Sequence, residues 1–143
     1  MIPAFFHSYI EGLKTHDVEM IAGAVADNLC FVTATTTLNK QRFLAMLRAL
    51  YAGFPDWHYD HDAPEVRDGV IAIRWRQSGT HLGTLALPGI TRIAATGIKV
   101  VIPEQYFYYW VDDCRITKIR PETILGGAPG GILQQIGVHV PPF

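Results

Sequence analysis

The chain has 143 residues, of which 49% are hydrophobic and 17% charged, and its formal net charge is −1. A chain of this length is most simply a single domain, 1–143, that buries about two-thirds of the surface its unfolded form exposes. Its Lys and Arg residues are scattered, so no basic surface for nucleic acid or for an anionic membrane is expected. We therefore expect neither nucleic acid nor membrane as a partner.

The two cysteines, Cys30 and Cys114, lie far apart in the sequence. Two distant cysteines in a domain of ordinary size are typical of free thiols in a reducing compartment. The N-terminus has no basic leader, and no apolar run approaches the ~18 residues that span a bilayer. These features predict a soluble, cytoplasmic protein.

The first half of the chain has the spacing of helices. Apolar residues recur every three or four positions over 2–13, and Asp17 and Asn39 are suitable N-caps for two further helices. Between the second and third helices, 28–37 is rich in β-branched residues and predicts a strand. Gly53 marks the end of the third helix.

From Trp57 onward the apolar period falls from 3.6 to 2, which is typical of strands. Arg67-Asp68-Gly69 predicts a hairpin turn, and the glycines and Pro88-Gly89 divide 79–97 into short strands and turns. Two further strands, 98–102 and 104–111, flank Pro103, which a strand tolerates best at a bulge or at its first residue. A turn at 112–114 leads into the last strand, 115–120.

Helices followed by hairpins predict an α+β fold in which the N-terminal helices pack on one side of a curved antiparallel or mixed sheet. Such a sheet, capped by helices, encloses a cone-shaped pocket. No repeat or linker divides the chain.

Several familiar site motifs are absent from the sequence. There is no HExxH, no paired CxxC and no GxGxxG after a strand, and the glycine-rich 126–131 lacks the Lys-Ser/Thr of a phosphate loop. The two serines, Ser8 and Ser78, do not stand in a GxSxG elbow. The pattern excludes the common metal, nucleotide and serine-hydrolase motifs.

One group of metal-type ligands, His58, Asp60, His61 and Asp62, lies on a predicted strand. Because side chains alternate along a strand, His58 and His61 point to opposite faces. We interpret this segment as a surface strand with solvated charges outside and His61 turned inward, and we predict no metal.

The segment 104–111 is aromatic on both faces of its predicted strand. One face carries Gln105, Phe107 and Tyr109, and the other carries Glu104, Tyr106, Tyr108 and Trp110. These rings either fill the core and a dimer-facing surface or line a cavity. A buried Gln amide or Tyr hydroxyl needs a hydrogen-bond partner, which a ligand carbonyl can supply.

Glu122 follows the last strand and precedes the glycine-rich loop. If its side chain enters an apolar cavity, loss of hydration raises the pKa of this carboxyl and suits it to general acid/base work. If its side chain points outward, it is an ordinary surface carboxylate. The residue pattern leaves both readings open.

Several stretches together resemble the SnoaL-like polyketide cyclases of the nuclear transport factor two-like, ketosteroid isomerase-related superfamily. The matching stretches are Phe54-Pro55-Asp56-Trp57, Gly79-Thr80-His81-Leu82-Gly83, Thr96-Gly97, Glu104-Gln105, Asp113 to Ile116, and Gly131-Ile132-Leu133-Gln134-Gln135-Ile136-Gly137. The resemblance implies a cone-shaped barrel, commonly a homodimer, that binds a hydrophobic polycyclic natural product without a cofactor.

In the ring-closing cyclases, a glutamine and a histidine two residues later on one strand work with an acidic residue on the next strand. Gln105 matches the glutamine, Phe107 stands at the histidine position, and Pro121 stands at or beside the acidic position, directly before Glu122. The resemblance therefore implies a pocket adapted to another isomerisation or cyclisation, as in meroterpenoid and alkaloid pathways.

Our leading hypothesis is a cofactor-independent cyclase or isomerase that acts on a carbonyl-bearing polycyclic substrate. Glu122 would move the proton, while Tyr109 and Gln105 would donate hydrogen bonds to the developing enolate or alkoxide. The predicted substrate-binding residues are Tyr9, Trp57, Tyr59, His61, His81 and Phe107, and His81 could equally hold the turn after its strand.

Two alternatives remain open at the level of sequence. One is a small-molecule carrier or a dimeric interaction module without chemistry on the same fold. The other is an epoxide hydrolase, which needs an acidic residue beside an arginine; Asp60, Arg74 and Arg76 are available for that role.

Overall fold

The computed structural model describes residues 2–87 and 92–138. The predicted turn at Pro88-Gly89 lies outside the described residues. The helices are α1 (Ala4–Thr15), α2 (Val18–Ala24), α3 (Lys40–Gly53) and α4 (Gly130–Gln135). The strands are β1 (Val25–Val32), β2 (Thr37–Leu38), β3 (His58–His61), β4 (Glu65–Arg67), β5 (Val70–Thr80), β6 (Lys99–Val111) and β7 (Ile116–Pro121).

Both predicted N-caps are confirmed. The carboxylate of Asp17 accepts a hydrogen bond from Met20 N at 3.1 Å, and the side chain of Asn39 accepts one from Arg42 N at 2.9 Å. These bonds satisfy backbone donors that have no partner within the first turn of a helix. The caps fix where α2 and α3 begin.

The strands form one sheet in the order β2-β1-β7-β6-β5-β3, with β4 also paired to β5. β1 and β7 are parallel, whereas the other pairs are antiparallel. The sheet is curved and unclosed, and the N-terminal helices lie against it. The predicted α+β class with a mixed sheet is confirmed.

β6 is a single strand, so the prediction of two separate strands around Pro103 is wrong. Trp75 pairs with Gln105 and Gln77 pairs with Ile102, which leaves Pro103 and Glu104 opposite one residue of β5. This is a β-bulge, the position at which a strand tolerates a proline. Because the bulge adds one residue, the inward-facing side chains change from even to odd positions along β6.

The concave face of the sheet and the helices enclose one hydrophobic core. Its largest fully buried side chains include Phe6, Phe43, Phe54, Trp75 and Tyr109. Close packing reaches the backbone at Gly79, where an added Cβ would lie 2.6 Å from the Trp57 ring. Only glycine fits there without moving that ring.

Two surface properties complete the description. No helix within residues 2–87 and 92–138 is long and apolar enough to cross a membrane. Cys30 and Cys114 are both exposed free thiols. Neither thiol contributes to the core.

Candidate active site

An apolar cavity lies between the helices and the concave face of the sheet. The space open to the centre of a water molecule is about 70 Å³. The lining comes from α1, α3, α4, four strands and two loops: Tyr9, Leu13, Phe31, Phe43, Met46, Leu47, Leu50, Tyr59, Trp75, Gln77, Leu85, Leu87, Phe107, Tyr109, Ala128, Pro129, Ile132 and Leu133. Four of the predicted site residues, Tyr9, Tyr59, Phe107 and Tyr109, are therefore brought together here.

Three buried phenols contribute hydroxyl groups to this apolar cavity. The Tyr109 hydroxyl accepts a hydrogen bond from Trp75 Nε1 at 2.9 Å, and the ring of Tyr109 meets that of Tyr9 edge-on at 5.6 Å. The Tyr59 hydroxyl lies 2.8 Å from the hydroxyl of Tyr51, which is half-buried behind it. The Tyr109 hydroxyl thus has two side-chain hydrogen-bonding neighbours, the Trp75 indole and the Tyr9 hydroxyl.

Burial raises the pKa of Tyr9, Tyr59 and Tyr109 above the usual phenol range, because the charged phenolate loses its hydration. For Tyr9 and Tyr59 the nearby phenols raise the pKa further. The pKa of Tyr51 is raised by burial as well. At neutral pH these side chains are neutral O–H donors rather than bases.

Gln77 adds an amide to the cavity wall. Its Oε1 accepts a hydrogen bond from Trp57 Nε1 at 3.2 Å, and within the described chain its Nε2 makes no hydrogen bond, so its N–H donors are available. Neither Gln77 nor Trp75 was among the predicted site residues. The alternation of β5, which puts Ile73, Trp75 and Gln77 on the buried face, is the signal that could have identified them.

The described lining of the cavity contains no carboxylate, imidazole, amine or thiol. Its polar groups are phenol hydroxyls, the Trp75 indole and the Gln77 amide. Such a set can donate hydrogen bonds to a carbonyl oxygen and can stabilise negative charge that develops on it. It offers no group that is basic at neutral pH.

Gln105 lies beside the cavity and does not line it. Its Nε2 donates to Glu122 O at 2.8 Å and to Ala128 O at 3.1 Å, and Ala128 N donates to its Oε1 at 3.0 Å. The side chain is 1% exposed, and both amide N–H groups are used by backbone carbonyls. Gln105 therefore holds the glycine-rich loop in place.

Glu122 lines a neighbouring cleft of about 200 Å³. Its backbone N donates to Tyr106 O at 2.8 Å, and its Oε1 accepts from Tyr106 N at 3.2 Å. Ala128 and Pro129 line both the cavity and this cleft. They form the wall between Glu122 and the three phenols, so the predicted trio of Gln105, Tyr109 and Glu122 does not converge on one cavity.

His81 and Trp57 lie in the core outside the cavity lining. Nδ1 of His81 accepts a hydrogen bond from Thr96 N at 3.3 Å and lies 2.9 Å from the Thr96 hydroxyl. Its ring stacks on Phe54, with 5.2 Å between the ring centroids. These contacts hold the segment after β5, which is the second of the two predicted roles of His81.

His61 is half-buried and also lies outside the lining. Its ring packs edge-on against Trp75 at 4.9 Å, and its Nδ1 lies 2.7 Å from Asp62 O. His58, three residues earlier, is exposed. Among residues 2–87 and 92–138, no group of three His, Cys, Asp or Glu side chains is placed to hold a metal ion.

The charged groups considered for epoxide hydrolysis lie on the outer face of the sheet. Arg76 contacts Asp60 at 2.8 Å and Asp62 at 2.9 Å, and Arg74 pairs with Glu104. The hydrogen bond from Arg76 lowers the pKa of Asp60. These ion pairs are solvent-exposed, and none of their members lines the cavity.

The fold is similar to several solved structures. AclR from Streptomyces galilaeus, a proposed hydroxylase, superposes with a TM-score of 0.73 at 12% identity over 97% of this chain and 83% of that one. A proposed SnoaL-like polyketide cyclase from Jannaschia sp. CCS1 gives 0.69 at 14% identity over 99% and 96%. IdmH from Streptomyces antibioticus, a proposed polyketide cyclase, gives 0.67 at 18% identity over 94% and 96%.

At these identities the structural likeness establishes the fold. No curated protein matches the chain in sequence. The model of a protein family described as the SnoaL-like domain matches residues 6–119, which is most of the chain and includes most of α1, all of α2 and α3 and nearly all of the sheet. The chain therefore belongs to the SnoaL-like domain family.

Proposed function

We propose that this protein is a cofactor-independent cyclase or isomerase whose hydrophobic, carbonyl-bearing substrate binds in the phenol-lined cavity. The observation that carries the proposal is the convergence of Tyr9, Tyr59 and Tyr109 on one apolar space. Membership of the SnoaL-like family supports it. The proposed polyketide cyclase activity of IdmH and of the Jannaschia protein points in the same direction.

The phenols would act on the carbonyl oxygen of the substrate. As a reaction moves electron density onto this oxygen, neutral O–H donors stabilise it, and the apolar walls exclude the water that would weaken the interaction. Tyr109 is held ready by the hydrogen bond from Trp75. Loss of one donor to a developing oxyanion costs about 10²-fold in rate in enzymes that use this device.

Because the described lining of the cavity supplies donors and no base, it favours an intramolecular ring closure. In such a reaction the π electrons of the alkene form a bond from an alkene carbon to the carbonyl carbon, and the π electrons of the carbonyl move to its oxygen. This oxygen takes an allylic proton of the same molecule, and the electrons of the broken C–H bond form the new C=C bond. Product and substrate are isomers. The reaction requires neither a cofactor nor a side-chain base.

Size restricts what the cavity can hold without rearrangement. Pockets for drug-sized ligands are typically about 300–1,000 Å³, well above the space found here. The lining residues Met46, Leu87 and Phe107 are partly exposed, and they are the side chains whose movement would admit a polycyclic substrate. Glu122 is assigned no catalytic role in this proposal because Ala128 and Pro129 lie between it and the cavity.

Citronellal tests the catalytic proposal, since it is an acyclic aldehyde with a tethered alkene that closes to isopulegol without change of mass. We expect the protein to accelerate this closure over buffer, and Tyr109→Phe to reduce the acceleration by about 10²-fold. Tyr108→Phe, which removes a phenol from the outer face of the sheet, is the matched control. No acceleration by the wild type would contradict the proposal.

A second candidate function is a small-molecule carrier. The lack of a basic side chain in the described lining favours it, because reversible binding needs only apolar walls and hydrogen-bond donors. The same incubation separates the two functions by gas chromatography of the recovered terpenoid. A carrier returns citronellal unchanged, whereas the enzyme returns isopulegol.

A further inference from the structure

We propose that the cleft beside the cavity is a second binding site, which takes the ammonium group of a small organic amine through Glu122. The cleft is bounded by residues 33–34, by the segment 121–131 and by the side chains of Gln105 and Gln134. This space is distinct from the phenol-lined cavity, so the inference goes beyond the proposed reaction.

In the part of the chain that the structure describes, the carboxylate of Glu122 has no cationic partner. Within residues 2–87 and 92–138 no Lys, Arg or His nitrogen forms an ion pair with it, although seven other ion-pair contacts are present. Its Oε1 accepts from Tyr106 N, and its Oε2 makes no hydrogen bond in the same described residues. Glu122 is half-buried, so part of the hydration that stabilises a free carboxylate is missing.

Glu122 is also the only charged side chain in the described lining of the cleft. A cation that enters the cleft therefore meets one negative charge and no competing positive one. The environment is less polar than water, which strengthens a charge-assisted hydrogen bond from an ammonium group to Oε2. An anion would be repelled by the same charge.

A metal ion fits this lining poorly. Calcium takes six to eight oxygen ligands, usually with several carboxylates, and the described lining offers one carboxylate. A single carboxylate matches a singly charged ammonium group. The number of carboxylate ligands in the described lining therefore favours an ammonium group over calcium.

The rim of the cleft is apolar and suits the carbon skeleton of such an amine. Leu125 is 97% exposed, and Ile124, Pro121 and Pro129 belong to the same lining. An exposed leucine next to a charged recess gives the cleft both a polar floor and an apolar edge. A short amine with one aromatic or branched group would contact both.

The cleft is held in shape before any ligand binds. Gln105 fixes the backbone of Glu122 and Ala128, Gly127 N donates to Ile124 O at 3.1 Å, and Gly131 N donates to Gly127 O at 2.8 Å. A Cβ added to Gly127 would lie 2.8 Å from Gln105 Nε2, so the loop packs closely on that amide. A rigid site loses little conformational entropy on binding.

Benzylamine and benzyl alcohol form the matched probe pair, since both carry the same ring and only the amine is charged at neutral pH. Their binding is followed by two-dimensional NMR of the backbone amides of 122–131. Glu122→Gln keeps an acceptor for Tyr106 N and removes only the charge, so it should fold as the wild type. Asp113→Asn, which removes an exposed carboxylate elsewhere, is the control for net charge.

We expect benzylamine to bind with a Kd of about 1 mM, and benzyl alcohol and the Glu122→Gln variant each to show binding at least about tenfold weaker. Asp113→Asn and Tyr109→Phe should bind benzylamine as the wild type does, which separates this site from the phenol-lined cavity. Equal affinity for the two probes, wild-type affinity in Glu122→Gln, or no shift of the loop amides would overturn the proposal.

Discussion

Replacement of Gln105 by methionine tests whether the buried amide holds the glycine-rich loop. Methionine has nearly the same length but cannot make the three hydrogen bonds to Glu122 O, Ala128 O and Ala128 N. Each intramolecular hydrogen bond contributes about 0.5–1.5 kcal/mol net, and a buried group left without a partner costs about 1–3 kcal/mol. Water that enters from the cleft can replace some of the lost hydrogen bonds to the loop. We therefore expect the free energy of unfolding to fall by about 2–4 kcal/mol, rather than by the sum of all these costs.

The chain supplies a matched exposed control for this substitution. Gln135 makes a similar pair of bonds, with Val101 N donating to its Oε1 at 3.1 Å and its Nε2 donating to Val101 O at 2.7 Å, but it is exposed. Gln135→Met should cost less than about 1 kcal/mol, since water replaces the lost partners. Urea unfolding followed by circular dichroism gives both free energies.

Hydrogen exchange locates the effect. In the wild type the Ala128 amide is protected by Gln105 Oε1, and in Gln105→Met its exchange should accelerate more than that of the sheet amides. A loss of stability under about 0.5 kcal/mol, or unchanged exchange at Ala128, would refute the assignment of Gln105 as the loop clamp.

Two further predictions concern the buried phenols and the outer face of the sheet. Burial raises the pKa of Tyr9, Tyr51, Tyr59 and Tyr109. The stability that their neutral forms contribute is therefore complete below the unfolded phenol pKa of about 10, and it is lost as pH rises through the higher folded values. The free energy of unfolding falls by up to about 1.4 kcal/mol per pH unit for each phenol. Tyrosinate absorbance should therefore rise together with the loss of circular dichroism in alkali; full ionisation of the tyrosines in a folded protein would contradict this. We predict that Tyr108 and the other half-exposed aromatic residues of β6 pack against a second copy of the chain. In sedimentation equilibrium, Tyr108→Glu should therefore convert a homodimer to a monomer. A monomeric wild type would contradict this prediction.

The features that could be predicted from the sequence are those set by local physics. An Asp or Asn side chain caps a helix wherever the next residues are helical, so Asp17 and Asn39 marked the starts of α2 and α3. The alternation after Trp57 and the turn at Asp68-Gly69 likewise depend on neighbours in sequence. Pro103 indicated either a bulge or the start of a strand, because a proline cannot donate to the ladder of hydrogen bonds, and the structure has the bulge.

The placement of Gln105 and Glu122 depends on contacts between segments distant in sequence. Alternation correctly put Gln105 on the same face as Tyr109, but only the return of the glycine-rich loop determines that its amide meets Ala128. The backbone of Glu122 continues the pairing of β7 with β6 at Tyr106, and the residue lines the cleft. No local pattern distinguishes that outcome from a carboxylate inside the cavity.

The hydrogen-bond donors contributed by β5 were missed for a different reason. Trp75 and Gln77 lie on the buried face of a strand in which most inward residues are aliphatic, and a tryptophan in such a pattern is usually interpreted as core. Their roles appear only when Tyr109 and Trp57 are placed against them. A search for polar atoms on otherwise apolar strand faces would have found both.

The central claim is that the cavity binds a ligand oxygen through neutral phenol donors, and para-nitrophenol tests it most directly. Its anion carries part of its negative charge on the phenolate oxygen, and its visible absorbance reports ionisation. We predict that Tyr109→Phe weakens binding of the anion about tenfold relative to the wild type, and that Tyr108→Phe has no effect. Equal anion binding by the wild type and a folded Tyr109→Phe variant would contradict the account.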